Sequence, residues 1–204
     1  MMTRLIALYL ALCLALWGTV LSAQDLPALY SVSGVQSGDV LNIRAAPDAD
    51  AAKVGEFGQY GFNIEVLALS PDGRWGLVGL PEGNGWVSMR FMARQEVLPY
   101  EIPVPLTCLG TEPFWRIGLY PRGFEYEMMG EPRTDLSLLS QSVAPNGYLT
   151  VLEEGPTLTH TLIVERGQCS DGMSDRRFGW RAMLFLDAPD RALVHSGCCY
   201  LGGN

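Results

Sequence analysis

Cysteine and histidine are the residue types in this sequence whose chemistry could support catalysis. The two histidines are His160 and His195, and His195 precedes Cys198 by three positions. A thiolate, a histidine base and an orienting group are what a cysteine peptidase needs. A cysteine held in a disulfide cannot attack a substrate, and each cysteine after residue 23 has a plausible disulfide partner. The sequence therefore predicts a protein that is not an enzyme. The pair His195 and Cys198 is the best support for the alternative, a cell-wall hydrolase accessory with cysteine chemistry.

A metal site is the second chemistry that these residue types could form. Thiolates and imidazoles suit soft or borderline metals. The candidate ligands are Cys169, Met173, His195, Cys198 and Cys199. Their spacing matches no zinc signature, and oxidation would remove the sulfur ligands. We therefore expect no metal and no cofactor. His160 falls on the apolar side of an alternating run, which predicts a buried histidine with satisfied hydrogen bonds.

Four cysteines follow the N-terminal segment: Cys108, Cys169, Cys198 and Cys199. In an exported chain an even number predicts two disulfides. A bond between the adjacent Cys198 and Cys199 would close a strained ring. These two cysteines are therefore expected to pair with Cys108 and Cys169, in an order that the sequence leaves open.

A loop-like segment holds Asp171 and Asp175 on either side of Gly172-Met173-Ser174. One interpretation is a cluster that recognises a polar ligand. The favoured one is an Asp-Gly turn, in which the aspartate side chain caps its own backbone next to Cys169.

The N-terminus indicates export. Arg4 precedes an almost unbroken apolar run over residues 5–21, and Leu21-Ser22-Ala23 supplies the small residues of a cleavage site. Residues 1–23 are therefore predicted to be a signal peptide, which leaves a periplasmic or secreted protein without a membrane span. A retained anchor is the alternative, and Cys13 is interpreted as an apolar residue of the signal rather than a lipidation site.

Charge limits the classes of partner. The chain has 22 acidic against 14 basic residues, a formal net charge of −8. Nucleic acid and anionic membrane surfaces would repel such a protein. We expect no nucleic-acid partner, whereas a cell-wall partner is compatible with this charge.

Short alternating runs between Gly, Pro, Asn and Asp residues predict strands throughout, and no long stretch has helical periodicity. The predicted strands are residues 30–35, 40–44, 63–69, 75–80, 85–88, 115–120, 124–128, 148–152, 157–164, 178–186 and 192–195. The predicted fold class is all-β, with two small antiparallel β-barrels. Three prolines within residues 97–106 predict a spacer. The predicted domains are residues 24–95, a linker at 96–106 and a disulfide-containing barrel at 107–204.

Several motifs of the first half occur in a familiar order. They are V-L-N-I-R-A-A-P from residue 40, A-K-V-G from 52, I-E-V-L from 64, D-G-R-W from 72 and G-W-V-S from 85. Residues 29–95 thereby resemble the bacterial Src-homology-3 (SH3b) domain family. The resemblance implies an SH3-like barrel that is non-catalytic and attaches to peptidoglycan or cell-wall peptides.

Aromatic residues are the candidate ligand contacts of this half. Tyr60 and Trp75 each combine a flat ring with a polar tip, which suits a peptide or sugar surface. The alternative for Trp75 is packing at the barrel edge. Trp86, inside the G-W-V-S motif, is expected in the core.

The second half carries G-T-E-P-F-W from residue 110, C-S-D-G-M-S-D from 169 and G-C-C from 197. Together they are similar to an uncharacterised family of small bacterial envelope and lipoprotein domains. Disulfide-bonded envelope barrels that inhibit lysozyme have a similar architecture. The sequence thus predicts a non-enzymatic envelope protein that binds peptidoglycan, a cell-wall peptide or an envelope partner. Inhibition of a wall-degrading enzyme is the alternative.

Overall fold

The computed structural model describes residues 26–97, 101–189 and 191–202. The predicted signal peptide, residues 1–23 with Cys13, lies outside the described residues. Within them the chain is all-β, and a short 3-10 helix at Met89–Phe91 is the one helical element. None of the helical structure in this part of the chain is long and apolar enough to cross a membrane.

Seven strands of the first half form one antiparallel sheet. They are β1 Ala28–Val32, β2 Val40–Arg44, β3 Lys53–Gly58, β4 Ile64–Leu69, β5 Trp75–Gly79, β6 Asn84–Ser88 and β7 Met92–Arg94. Their order in the sheet is β3-β2-β6-β5-β4-β1-β7. All five strands predicted for this half are present. β3 forms where the sequence indicated only a short segment around residues 51–57.

The first sheet curls around one apolar cluster. Leu41 and Ile43 of β2 lie in this cluster, as their alternation predicted, and Val87 of β6 joins them. Partly buried side chains of β3 and β7 pack against it. The expectation of a core position for Trp86 is wrong. Neighbouring residues of a strand point to opposite faces, so Val87 faces the core while Trp86 stays half-buried outside it.

Hydrogen bonds do not close this sheet into a ring. Among the described residues β3 and β7 are its two edges. β7 has only three residues, and β2 meets β6 at the single register pair Arg44 and Trp86. Strands this short offer few backbone groups for closure. Where the sequence predicted a barrel, the first half is an open sheet wrapped around its core.

The second half is a closed antiparallel barrel of eight strands, as predicted. They are β8 Leu106–Thr111, β9 Phe114–Tyr120, β10 Gly123–Met128, β11 Thr134–Ala144, β12 Gly147–Glu154, β13 Leu158–Cys169, β14 Phe178–Ala188 and β15 Arg191–Leu201. The order around the barrel is β10-β11-β12-β13-β14-β15-β8-β9. Pairing of β15 with β8, at register pairs such as Leu201 and Leu106, brings the two ends of this half together.

Two barrel strands were not predicted. β8 begins at Leu106, the last residue of the predicted linker 96–106, of which residues 98–100 lie outside the described part. β11 lacks the alternation that marks a half-buried strand, because Leu136 is the one buried residue among its eleven. Leu138 and Leu139 are adjacent and both exposed. A strand without an apolar face carries no period-2 signal.

Two disulfides connect barrel strands, as predicted. Cys108 pairs with Cys199 and Cys169 with Cys198. Cys108 and Cys199 are directly opposite each other on β8 and β15, so their bond fixes the strand pair that closes the barrel. The structure thereby resolves the order of pairing that the sequence left open.

The two halves pack directly against each other. The Glu65 carboxylate of β4 accepts hydrogen bonds from the Trp180 indole at 3.0 Å and from the Leu201 backbone N–H at 3.1 Å, both in the barrel. The backbone N–H of Arg177 donates to the Asn84 side chain at 2.7 Å. Leu29 of β1 belongs to the apolar cluster of the barrel. Polar and apolar contacts thus join the sheet to the barrel.

Candidate functional site: a groove beside Trp75

Trp75 opens β5 directly after a tight turn. The turn is fixed on both sides, since the Ser70 N–H donates to the Trp75 carbonyl at 2.8 Å and the Trp75 N–H donates to the Ser70 hydroxyl at 3.0 Å. Gly73 takes a φ of 69°, a conformation that suits glycine. Hydrogen bonds from the Ser70 hydroxyl and from Arg74 hold the pKa of Asp72 well below its usual range. The backbone that carries Trp75 is therefore firmly set.

A groove of about 550 Å³ runs beside this tryptophan. Its lining includes Trp75, Phe91, Arg44, Arg90 and Asp39. This volume falls within the roughly 300–1,000 Å³ of small-molecule pockets. The groove is therefore large enough for a short peptide segment or one sugar unit.

The charged groups of the groove are of both signs. Arg90 is exposed, and its guanidinium lies 4.5 Å from the centre of the Phe91 ring. Arg44 donates to the Ala51 carbonyl at 2.9 Å, which fixes its side chain at the groove wall. Asp39 accepts a hydrogen bond from the backbone N–H of Val40. Half-buried rings that line a groove together with two cations and a carboxylate suit a ligand that itself carries both charges.

Tyr60, the second predicted contact, lies elsewhere in this half. It is 81% exposed in the turn between β3 and β4, and it is not among the residues that line the Trp75 groove. Phe62 follows Tyr60 by two positions in the same turn and is 69% exposed. Phe62 was not singled out from the sequence. Two aromatic rings in the short Tyr60-Gly61-Phe62-Asn63 turn are the signal that could have indicated Phe62.

The histidines face the barrel rather than a nucleophile. His160 is fully buried, and its Nε2 lies 2.7 Å from a Glu154 carboxylate oxygen. Burial lowers the pKa of this imidazole, although Glu154 opposes the shift. The expectation of a buried histidine is confirmed, although its Nδ1 has no partner among the described residues. Cys198 is bonded to Cys169, so neither carries a thiol beside His195.

The Asp171 turn has the capping arrangement that the sequence favoured. The Asp171 carboxylate accepts hydrogen bonds from the backbone N–H groups of Met173 and Ser174, both at 3.0 Å. Burial acts to raise the pKa of Asp171, but these hydrogen bonds outweigh it and lower the pKa. The loop is thus held by its own backbone.

Comparison of the chain with family profiles, with curated proteins and with solved structures found no match. The resemblance of residues 29–95 to bacterial Src-homology-3 domains therefore stays a prediction. The same holds for the similarity of the second half to an envelope family.

Proposed function

We propose that this chain is a non-enzymatic exported envelope protein that binds a cell-wall peptide, or a peptide of another envelope component, in the groove beside Trp75. The observation that supports this most is the groove itself, which a half-buried indole lines together with two arginines and a carboxylate. Peptides with both amino and carboxyl groups match such a surface. The predicted signal peptide would deliver the protein to the compartment where cell-wall peptides occur.

The acidic character of the chain makes this proposal testable by retention. A protein with a formal net charge of −8 is repelled by an anionic wall polymer, so retention by charge alone is not expected. Retention that persists when salt is raised would come from short-range contacts, because salt screens exposed charges.

Trp75→Ala is expected to weaken retention of the chain from Gln24 on insoluble peptidoglycan by about tenfold or more. An aromatic anchor in a binding groove typically contributes ~2 kcal/mol, and ~1.4 kcal/mol is tenfold in affinity. Bound fractions at low and moderate salt are the measurement.

Tyr60→Ala is the matched control, because Tyr60 is an exposed aromatic residue of the same half outside the groove. We expect it to leave retention unchanged. Equal retention of wild type and Trp75→Ala would contradict the proposed site. Release of soluble wall fragments would instead show hydrolysis.

A second candidate function is inhibition of a wall-degrading enzyme by the barrel. Ile163, Met183 and Val194 expose apolar side chains on β13, β14 and β15, and Ile163 lies directly opposite Met183. Closure and two disulfides make this apolar surface rigid, as a surface that enters a foreign active site must be.

Met183→Asp is expected to weaken inhibition of a lysozyme by tenfold or more, since it places a charge in the apolar contact. Leu139→Asp is the control, because Leu139 is an exposed leucine on β11, three strands away. Wall lysis rates with increasing amounts of the chain are the measurement. Unchanged lysis at a large excess of wild type would exclude this function.

A further inference from the structure

A second cavity lies between the sheet and the barrel, away from the Trp75 groove. Its volume is about 230 Å³. Glu65, Gly79 and Phe62 contribute from the sheet, and Arg176 and Tyr200 from the barrel half. The cavity thus combines an acid, a cation and aromatic rings from both halves.

Arg176 is held by rings and backbone rather than by an acceptor. Its guanidinium lies 4.4 Å from the centre of the Tyr200 ring and 4.8 Å from that of Phe178. It also lies flat against Gly79, where a Cβ atom would come within 3.0 Å of its Nε and Nη2. These contacts fix the plane of the guanidinium, whereas the guanidinium of a flexible surface arginine has no fixed plane.

The same guanidinium lacks a hydrogen-bond acceptor among the described residues. Its Nε is buried without a partner. No carboxylate of the described part lies within 4.0 Å of it, since Arg176 is absent from the ion pairs there. A desolvated arginine is costly unless it is paired. An oriented arginine that faces a cavity without an acceptor is therefore arranged for an acceptor from outside the chain.

Glu65 does not supply that acceptor. Its Oε1 is taken by the Trp180 indole and the Leu201 N–H, and its side chain is 7% exposed. Burial raises the pKa of Glu65 to about 8. The hydrogen bonds from Leu201 and Trp180 and the charge of Arg176 lower this pKa, but their effect is smaller than that of burial. At neutral pH this carboxyl is mostly protonated. Arg176 then has no ionised carboxylate within 4.0 Å in the described part of the chain, and the charge of Asp171 acts on it only from a longer distance.

We propose that the cavity between the two halves binds the carboxylate of a ligand end group about the size of one amino-acid residue, with Arg176 as the donor. A guanidinium matches a planar carboxylate through two parallel N–H bonds. A volume of about 230 Å³ is below the roughly 300–1,000 Å³ of pockets for drug-sized ligands, which favours an end group. A phosphate dianion is disfavoured, because Arg176 is the one cationic residue among the described residues that line this cavity and cannot balance two negative charges.

Matched small molecules test the charge requirement. N-acetylalanine and N-acetylalaninamide differ in the carboxylate alone, and trialanine with a free or amidated C-terminus tests whether a peptide end is accepted. Titration of the chain from Gln24 at pH 7, followed by calorimetry and by the indole Nε1–H signal of Trp180, measures binding. We expect saturable binding of the acids, at least tenfold tighter than of the amides and of inorganic phosphate.

Substitutions test the donor. Arg176→Gln is expected to abolish the preference for the acid, and Arg177→Gln, at an exposed neighbour with the same loss of charge, is expected to keep it. Gly79→Ala keeps the charge but displaces the guanidinium, and we expect it to weaken acid binding fivefold or more. Near-ultraviolet circular dichroism of each variant shows whether the fold is retained.

Three results would overturn the proposal. They are no binding of the acids by wild type, equal binding of acid and amide, and unchanged acid binding in a folded Arg176→Gln variant. The wild-type comparison is decisive even if a variant does not fold. None of these results bears on the Trp75 groove, because that groove shares no lining residue with this cavity.

Discussion

Replacing Cys108 and Cys199 together with alanine is expected to lower the free energy of unfolding by about 4 kcal/mol. The bond spans 91 residues, and cross-links of this span remove on the order of 4–5 kcal/mol of loop-closure entropy from the unfolded chain. It also joins β15 to β8, the pair that closes the barrel. Urea unfolding followed by tryptophan fluorescence measures the change.

Cys169 and Cys198 provide the matched comparison. Their separation is 29 residues, and the chain-entropy relation makes their bond about 1 kcal/mol less stabilising than the longer one. The Cys169→Ala, Cys198→Ala variant should therefore unfold at a higher urea concentration than the Cys108→Ala, Cys199→Ala variant. The reverse order would contradict the role assigned to barrel closure.

Wild type is expected to lose stability as the pH rises from about 4.5 to about 8. The Glu65→Gln variant is expected to show no such loss. Burial raises the pKa of Glu65 from 4.5 to about 8 in the folded protein. The folded state therefore keeps a proton that the unfolded state releases in this range. Its contribution to stability is complete below pH 4.5 and is lost as pH rises through 8. The linked free energy is on the order of 5 kcal/mol at pH 9.

The groups around Glu65 all act against the effect of burial on its pKa. Trp180 and Leu201 donate to its carboxyl, and the charge of Arg176 favours its ionised form. Glutamine keeps an oxygen for the two donors without a titrating proton. Urea unfolding at pH 5, 7 and 9 is the measurement, with the exposed Glu82→Gln as control. A wild type whose stability does not fall across this range would refute the assignment.

Local patterns explain what the sequence predicted well. β2 was predicted with its observed limits because Val40 to Arg44 alternates between a turn and Pro47. The pairing of adjacent cysteines with distant partners followed from bond geometry alone. These features depend on a few neighbouring residues, so no knowledge of the rest of the fold is needed.

Features set by distant residues could not be predicted in this way. In Ile64-Glu65-Val66 the glutamate is typical of a solvent-facing strand position, and it does point away from the core of its own sheet. The barrel covers it, through Trp180 at a sequence distance of 115 residues. The period-2 pattern gives no information about which surface of one half meets the other.

The candidate contacts illustrate the same limit. Trp75 and Tyr60 were chosen for residue type, which does not determine whether two rings share a surface. The structure places Trp75 in the groove and Tyr60 in the β3–β4 turn. Arg176 directly follows the Asp171 loop in the sequence, whereas its guanidinium packs against Gly79 and Tyr200.

The most direct test of the proposed function is a heteronuclear NMR titration of the isotope-labelled chain from Gln24 with a soluble cell-wall peptide. The indole Nε1–H signal of Trp75 reports on the groove, and that of Trp180 reports on the cavity of Arg176. We predict that the Trp75 signal shifts in a saturable manner, and that it does so equally in Arg176→Gln. A Trp75 signal that stays in place at saturating peptide would contradict binding in the groove.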